Sequence, residues 1–281
     1  MNSFAYVIAQ TPESAVELVR NQGRFIAGGI DLLGELKEYI AEPKMLVNVK
    51  VLPGTQEITP GADKWVIGAS VTLAALAAHA ELRQMFPGLA EAAEEVGSPQ
   101  MRNVATVGGN LAQHSRCWYY RHRDIRCLKK GGATCYAREG ENKYHSLFSG
   151  ATCLSPAVSN LAVALTALGA GVVVQRGPKQ ETLTMARLYE SAWENPRVHN
   201  SLKSTDLILR VEIPAVAGRR STYLQMGEKS DFDWALVSCA AAARVDGRTL
   251  RGARVVLGAV APIPWQVEEA QRISRGQGTD R

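Results

Sequence analysis

The 281-residue sequence predicts an α+β fold, in which two α/β subdomains precede a small α+β domain built on an antiparallel sheet. Three observations carry that expectation. Helix and strand signals alternate through the first fifty residues. The same alternation resumes on either side of a long polar, cysteine-rich segment. After Pro214 the strand signals follow one another without long helices between them, the pattern of an antiparallel sheet.

Taken in order, Ser14 to Arg20 is helical in pattern, and Arg24-Phe25-Ile26-Ala27 is a short apolar strand ending at Gly28-Gly29. Asp31 opens a second helical run carrying Leu32, Leu33, Leu36 and Ile40; its carboxylate is expected to cap the first turn by accepting orphan amides. Met45 to Val49 reads as another strand, which makes a small βαβ unit with parallel pairing. A second region starts with a strand at Trp65-Val66-Ile67, then an alanine-rich helix from Thr72 through Leu82 and a helix from Gly88 to Val96, broken at Ser98-Pro99. The segment from about residue 113 to 149 has little hydrophobic period and reads as a long inserted loop. A helix at Asn160 to Leu168 and a strand at Gly171 to Gln175 follow. Strands are then expected at Tyr223 to Met226, Ala235 to Arg244 and Arg254 to Val260, and the polar tail after about Ile273 is expected to fray. The expected domains are 1–215, with subdomains of about 1–55 and 56–215 and the loop insertion at about 113–153, and 216–281.

Hydrophobic content of 46% with 21% charged residues is that of a soluble globular chain. No apolar run reaches the roughly 18–20 residues that span a bilayer, so no membrane partner is expected. The start, Met1-Asn2-Ser3-Phe4-Ala5-Tyr6, lacks the basic and apolar regions of a secretory signal. The expected location is cytoplasmic, with the periplasm as the alternative if a signal-bearing partner carries the chain out. The net charge is +5, and much of the excess lies in the cysteine segment: Arg116, Arg121, Arg123, Arg126, Lys129, Lys130, Arg138 and Lys143 against Asp124, Glu139 and Glu141. Such a face suits an acidic partner or an anionic redox centre. No basic helix or aromatic platform accompanies it, so nucleic acid is not expected.

Two glycine turns, Gly28-Gly29-Ile30-Asp31 and Thr106-Val107-Gly108-Gly109-Asn110, each let backbone amides face an anion with no Cβ in the way. The first lies at a strand-to-helix junction, where the helix dipole favours a phosphate. Neither is a GxGxxG motif, so an NAD site of Rossmann type is not supported. Four of the five cysteines, Cys117, Cys127, Cys135 and Cys153, share one stretch, with nine, seven and seventeen residues between them. No CxxC knuckle of the zinc-ribbon kind is present, and wide spacing suits an iron–sulfur cubane wrapped by a loop. Zinc, or no metal, stays open on the residues alone. A disulfide framework is disfavoured in a reducing compartment. Cys239 lies in an apolar strand and reads as a core residue, while His114 and His122 flank the first cysteine. No serine or cysteine nucleophile is apparent, so no catalytic side chain is assigned.

The combination of motifs resembles a known family. Ala27-Gly28-Gly29-Ile30-Asp31-Leu32-Leu33 resembles the AGGTDLL stretch in the flavin subunits of the xanthine dehydrogenase and carbon monoxide dehydrogenase family of molybdenum enzymes. Ala105 to Leu111 matches that family's second pyrophosphate segment. Ser155 to Asn160, Leu207 to Pro214 and Leu257 to Trp265 continue the likeness in order, to about residue 266. The cysteine insertion is similar to the extra loop of the flavin subunits of 4-hydroxybenzoyl-CoA reductase and periplasmic aldehyde oxidoreductase. The resemblance implies a PCMH-type FAD-binding domain of two α/β subdomains and a small α+β domain. It implies FAD held by Ala27 to Leu33, Thr106, Gly108, Gly109, Asn110, Asn160, Ile208, Gln225 and Lys229, and a [4Fe-4S] cluster on Cys117, Cys127, Cys135 and Cys153. It also implies a molybdopterin-binding large subunit, a [2Fe-2S] small subunit and an external electron carrier such as a ferredoxin as partners. The chain departs from the family pattern in three places. The usual Ser-Asp pair is Ser159-Asn160, a flavin-side lysine is replaced by Gln225 while Lys229 stands near a position that is often arginine, and the family's last helices are missing or replaced by Arg272 to Arg281. The alternative kept beside this reading is a zinc-bearing assembly protein without flavin.

Overall fold

The computed structural model describes residues 1–148, 150–229 and 232–273. The N-terminal unit runs β1 (Ala5–Ile8), α1 (Pro12–Val19), β2 (Gly23–Ile26), α2 (Leu32–Lys37) and β3 (Met45–Asn48). Its three strands form one parallel sheet in the order β1-β3-β2, in which Met45 faces both Ala5 and Gly23. Helix α1 begins two residues before the sequence pattern suggested. Thr11 caps it by accepting from Ser14 N at 3.1 Å, Ser14 Oγ accepts from Thr11 N in return, and Pro12 starts the first turn. Ala15, Val16 and Val19 bury the face that packs on the sheet.

The central unit comprises β4 (Ile58–Thr59), β5 (Lys64–Gly68), α3 (Leu73–Ala78), α4 (Ala80–Met85), α5 (Pro87–Glu94), α6 (Pro99–Arg102), α7 (Val107–Ala112), α8 (Trp118–Arg121), α9 (Asn160–Leu168), β6 (Gly171–Arg176), β7 (Lys179–Thr184), α10 (Met185–Glu194) and β8 (Leu207–Pro214). Its five strands are ordered β4-β5-β8-β6-β7 and pair antiparallel throughout. The single alanine-rich helix expected over 72–82 is instead two. His79 adopts an extended backbone, φ −71 and ψ 109, and its Nδ1 accepts from Leu82 N at 3.2 Å, which caps α4 and ends α3. The apolar faces of α3, α5 and α9 meet around Leu73, Leu76, Leu89, Leu161 and Leu165, and this is the main core.

The third unit is β9 (Arg219–Met226), β10 (Val237–Asp246), β11 (Thr249–Gly258), β12 (Trp265–Gln266) and α11 (Glu268–Ile273), with the sheet order β12-β11-β10-β9, antiparallel. The fold is thus mixed helix and sheet with an antiparallel sheet at the C-terminal end, as expected. The tail beyond 273, where fraying was expected, lies outside the described residues.

The cysteine segment is not a structureless loop. It carries α8 and two 3-10 turns, Leu128–Lys130 and Tyr136–Arg138, and it touches all three units. Arg121 bonds Asp31 beside α2, Lys129 bonds Val198 in the central unit, and Phe148 N donates to Val260 O past β11.

Candidate cofactor site beside a thiol cage

The strand-to-helix turn between β2 and α2 forms one wall of a cavity of about 490 Å³. Ala27, Gly28, Gly29, Ile30, Asp31 and Leu32 line it on that side, Thr106, Gly109 and Asn110 on another, and Asn160 at the start of α9. Glycine is required at two of these positions. A Cβ on Gly28 would lie 2.0 Å from Val104 O, because the first turn rests directly on the chain that leads into the second. Gly29 has φ +74, the left-handed region that a side chain disfavours.

The two turns differ in what their amides do. Among the described residues, the amides of Gly28 through Leu32 donate to no protein acceptor, leaving five consecutive backbone donors at the cavity wall. In the second turn the amides are taken: Val107 N by Val71 O, Gly108 N by Ala69 O, Asn110 N by Thr106 O, and Gly109 N by Thr106 Oγ1 at 3.2 Å. The expectation that both turns present amides to an anion is corrected to one. The reason is packing: the segment runs against Ala69 and Val71, and a Cβ on Gly108 would sit 2.9 Å from Ala69 Cβ. The second turn closes the cavity and supplies side chains, while the first supplies donors.

A second correction concerns Asp31. It precedes α2 but makes no capping hydrogen bond; its own backbone is already helical, which turns the carboxylate away from the first-turn amides. The carboxylate instead accepts from Arg121 Nη2 at 2.5 Å and His114 N at 2.8 Å, and Arg116 Nη1 lies at 3.0 Å. One turn further along α2, Glu35 is buried and meets His114 Nδ1 at 2.8 Å, the Tyr120 hydroxyl at 2.7 Å and Arg24 Nη2 at 3.7 Å. Burial alone would raise the Glu35 pKa, but His114, Tyr120 and Arg121 together hold it down at about 2. His199 stacks on His114 with ring centroids 4.0 Å apart, and burial keeps its pKa well below the ordinary histidine value. Glu35 was not singled out in the sequence, and Arg121 figured there only in the basic excess of the cysteine segment. The readable signal was the i,i+4 spacing of Asp31 and Glu35, which puts two acids on one helix face opposite a basic loop.

The remaining residues fall at different distances from the cavity. Asn160 Nδ2 donates to Gln225 Oε1 at 3.0 Å, and Gln225 Nε2 donates to Glu95 Oε2 at 3.0 Å, so Gln225 reaches the cavity through Asn160. Ser159 Oγ donates to Asn110 Oδ1 at 2.6 Å and caps α9. Leu33 packs over Gly29, Gly108 and Ile208 are buried, and Lys229 lies in the loop after β9, where its amide donates to Asp233 Oδ2 at 3.1 Å. None of these last four lines the cavity among the described residues.

The four clustered cysteines converge. Cys117, Cys127, Cys135 and Cys153 line one small enclosed space together with Lys129 and His145, and all four are free thiols. His145 Nε2 is 3.1 Å from Cys117 Sγ. Hydrogen bonding with Cys153 brings the Cys135 thiol down to about 5, while the Cys153 thiol is pushed up by the same interaction and by burial. Arg116 joins the two sites. It precedes Cys117, lines the large cavity, and holds its guanidinium 4.9 Å from the ring centroid of Trp234. Cys239 stands apart on β10.

An α+β scaffold with an amide-lined cavity is suited to an anionic cofactor, and comparison with known proteins says which. Residues 2–216 match the family described as the FAD binding domain in molybdopterin dehydrogenase, and residues 221–281 the CO dehydrogenase flavoprotein C-terminal domain. The chain belongs to this family, the FAD-binding medium subunits of the xanthine dehydrogenase and carbon monoxide dehydrogenase type, and is an oxidoreductase subunit. It is 34% identical over 282 residues to the aldehyde oxidoreductase FAD-binding subunit PaoB of Escherichia coli (strain K12), covering 98% of this chain and 87% of that one. It is 24% identical over 262 residues to the carbon monoxide dehydrogenase medium chain of Hydrogenophaga pseudoflava, covering 92% and 75%. The solved carbon monoxide dehydrogenase of Hydrogenophaga pseudoflava shares the fold with a TM-score of 0.76 at 21% identity, over 100% of this chain and 83% of that one. No helix among the described residues is long and apolar enough to cross a membrane.

Proposed function

We propose that this chain is the flavin-bearing electron-transfer subunit of a molybdenum hydroxylase or reductase, and that its thiol cage holds a [4Fe-4S] cluster. The observation that carries the flavin assignment is the run of five unpartnered amides, Gly28 to Leu32, along the cavity wall. Unpaired backbone donors at a helix start are the chemistry a pyrophosphate satisfies. Thr106, Gly109 and Asn110 would close over it, and Asn160, steadied by Gln225, would face the ribityl hydroxyls. When bound, the flavin supplies exchange between one- and two-electron carriers. The protein's share is to bind it, orient it and keep charges placed around it.

Four thiols lining one space support a shared inorganic centre. Their spread favours a cluster over zinc. Sulfurs around a tetrahedral zinc lie about 3.8 Å apart, given Zn–S bonds of about 2.3 Å. No three of these sulfurs lie within 4.8 Å of one another among the described residues. That argues against the zinc-bearing assembly alternative. A molybdopterin large subunit and a [2Fe-2S] small subunit would complete the complex, with a ferredoxin or similar carrier outside it. We place it in the cytoplasm, or in the periplasm if a signal-bearing partner exports it.

The test is flavin, iron, sulfide and zinc analysis of the protein purified with its partners, together with its visible spectrum. About one flavin per chain and about four iron beyond those of the [2Fe-2S] partner are expected. A folded protein lacking flavin refutes the first assignment, and one zinc in place of iron refutes the second.

A further inference from the structure

Lys129 lies on the 3-10 turn Leu128–Lys130, between two of the cysteines, and is only 8% exposed. The turn is tight: Lys130 N and Gly132 N both donate to Cys127 O, and a Cβ on Gly132 would strike Arg126 O. This geometry sends the lysine inward. Its Nζ donates to Val198 O at 2.7 Å, and among the described residues the ionisable groups acting on it are the four cysteines, with no carboxylate. One neutral acceptor leaves a buried ammonium with its charge uncompensated, which is strongly unfavourable unless an anion faces it. The groups that do face it are the four thiols, whose common space the side chain lines. A cubane ligated by four thiolates carries net negative charge and is more negative when reduced. Val198 also lines the flavin cavity, so the same side chain spans the wall between the two sites.

Resting on the cluster reading above, we propose that Lys129 is the countercharge of the thiol cage, a positioning residue whose buried ammonium favours the reduced cluster and helps retain it. The argument is electrostatic. A fixed positive charge in a dry site beside the cluster stabilises the added electron, and Val198 O keeps the charge from swinging away.

The test uses the protein purified with its partner subunits. A dithionite redox titration follows the reduced-cluster EPR signal of the parent, Lys129→Met and Lys129→Arg, with iron and sulfide assayed in each. Lys129→Met keeps the length and removes the charge. It is expected to weaken cluster reduction at least tenfold, a shift of about 59 mV to lower potential for one electron. Lys129→Arg is expected to stay within about threefold of the parent. Iron lost from Lys129→Met but kept by Lys129→Arg would support the same role. An iron-replete Lys129→Met with the parent's potential would overturn it, as would both variants shifting or losing iron alike, which would mark a packing effect. A parent preparation with no iron beyond that of its [2Fe-2S] partner sinks the cluster reading and this role with it, whereas a parent with the full cluster iron and an indifferent Lys129→Met sinks this role alone.

Discussion

Replacing Glu35 by glutamine removes one charge from the centre of the network that joins α2 to the cysteine segment. The carboxylate is 1% exposed and touches His114 and Tyr120, with Arg24 and Arg121 behind them. Burial opposes its charge, yet these neighbours lower its pKa from 4.5 to about 2. A fall of that size corresponds to about 3 kcal/mol of folding free energy at neutral pH, held by the ionised form and absent from the amide. Because the folded pKa is depressed, the contribution is complete above 4.5 and is lost as the pH falls toward 2. Glu35→Gln should therefore melt roughly 6–12 °C below the parent at pH 7. By pH 3 the difference should narrow to about 1 kcal/mol, since the parent has by then lost more than half of that stabilisation. Circular dichroism melts at pH 7, 5, 4 and 3 measure both. A variant within a degree of the parent at pH 7, or a difference that stays constant down to pH 3, would refute the assignment of Glu35 as a stabilising buried anion.

Gly28→Ala places a methyl 2.0 Å from Val104 O and must separate the two turns that wall the cavity. Overpacking of this kind costs about 1–3 kcal/mol, so flavin affinity should fall about tenfold or more, read by titrating FAD into deflavinated protein; an unchanged affinity defeats the cradle assigned to Gly28. Cys127→Ser removes a buried thiol from the cage and should lose about four iron per chain, leaving only the [2Fe-2S] partner's iron, while Cys239→Ser on β10 should leave the content at the parent value. Equal iron in both variants would dissolve the proposed ligand set.

The parts of the fold legible in the sequence are those whose burial is local. Helix α9 and strand β6 read directly, because α9 is apolar along almost its whole length and four of the six β6 residues are buried. Strand β7 was missed, since five of its six residues are exposed and polar and only its pairing with β6 holds it extended. The same divide runs through the site. Clustering of four cysteines told that they would meet, and the glycines told where chains approach closely. Which amides remain open was not legible, because the second turn's donors are consumed by Ala69 and Val71, more than thirty residues upstream. Asp31 looked like a helix cap by local rules and proved to be an ion-pair partner of Arg121, ninety residues away. Local propensity cannot see a partner that only the folded chain supplies.

The basic excess of the cysteine segment takes a different meaning once its partners are known. Of its eight cations, Arg116 and Arg121 turn inward to Asp31, and Lys129 faces the thiols. Arg138 donates to Ala151 O and Thr152 O, and Lys143 pairs with Glu228. Most of the charge that suggested an external acidic partner is therefore engaged by groups of the protein itself, with Arg116 and Arg121 fastening the segment to the start of α2. Of the other three, Lys130 Nζ donates to His122 O, and Arg123 pairs with Asp124 at 3.4 Å and lies over Tyr39 with its guanidinium 4.8 Å from the ring centroid, while Arg126 is exposed. Three partly screened surface charges are worth little in affinity but can steer an encounter. A carrier that uses this face should therefore show an association rate that falls with salt, while the fastening of the segment at Asp31 and Glu35, built on mostly buried pairs, should respond to salt much less.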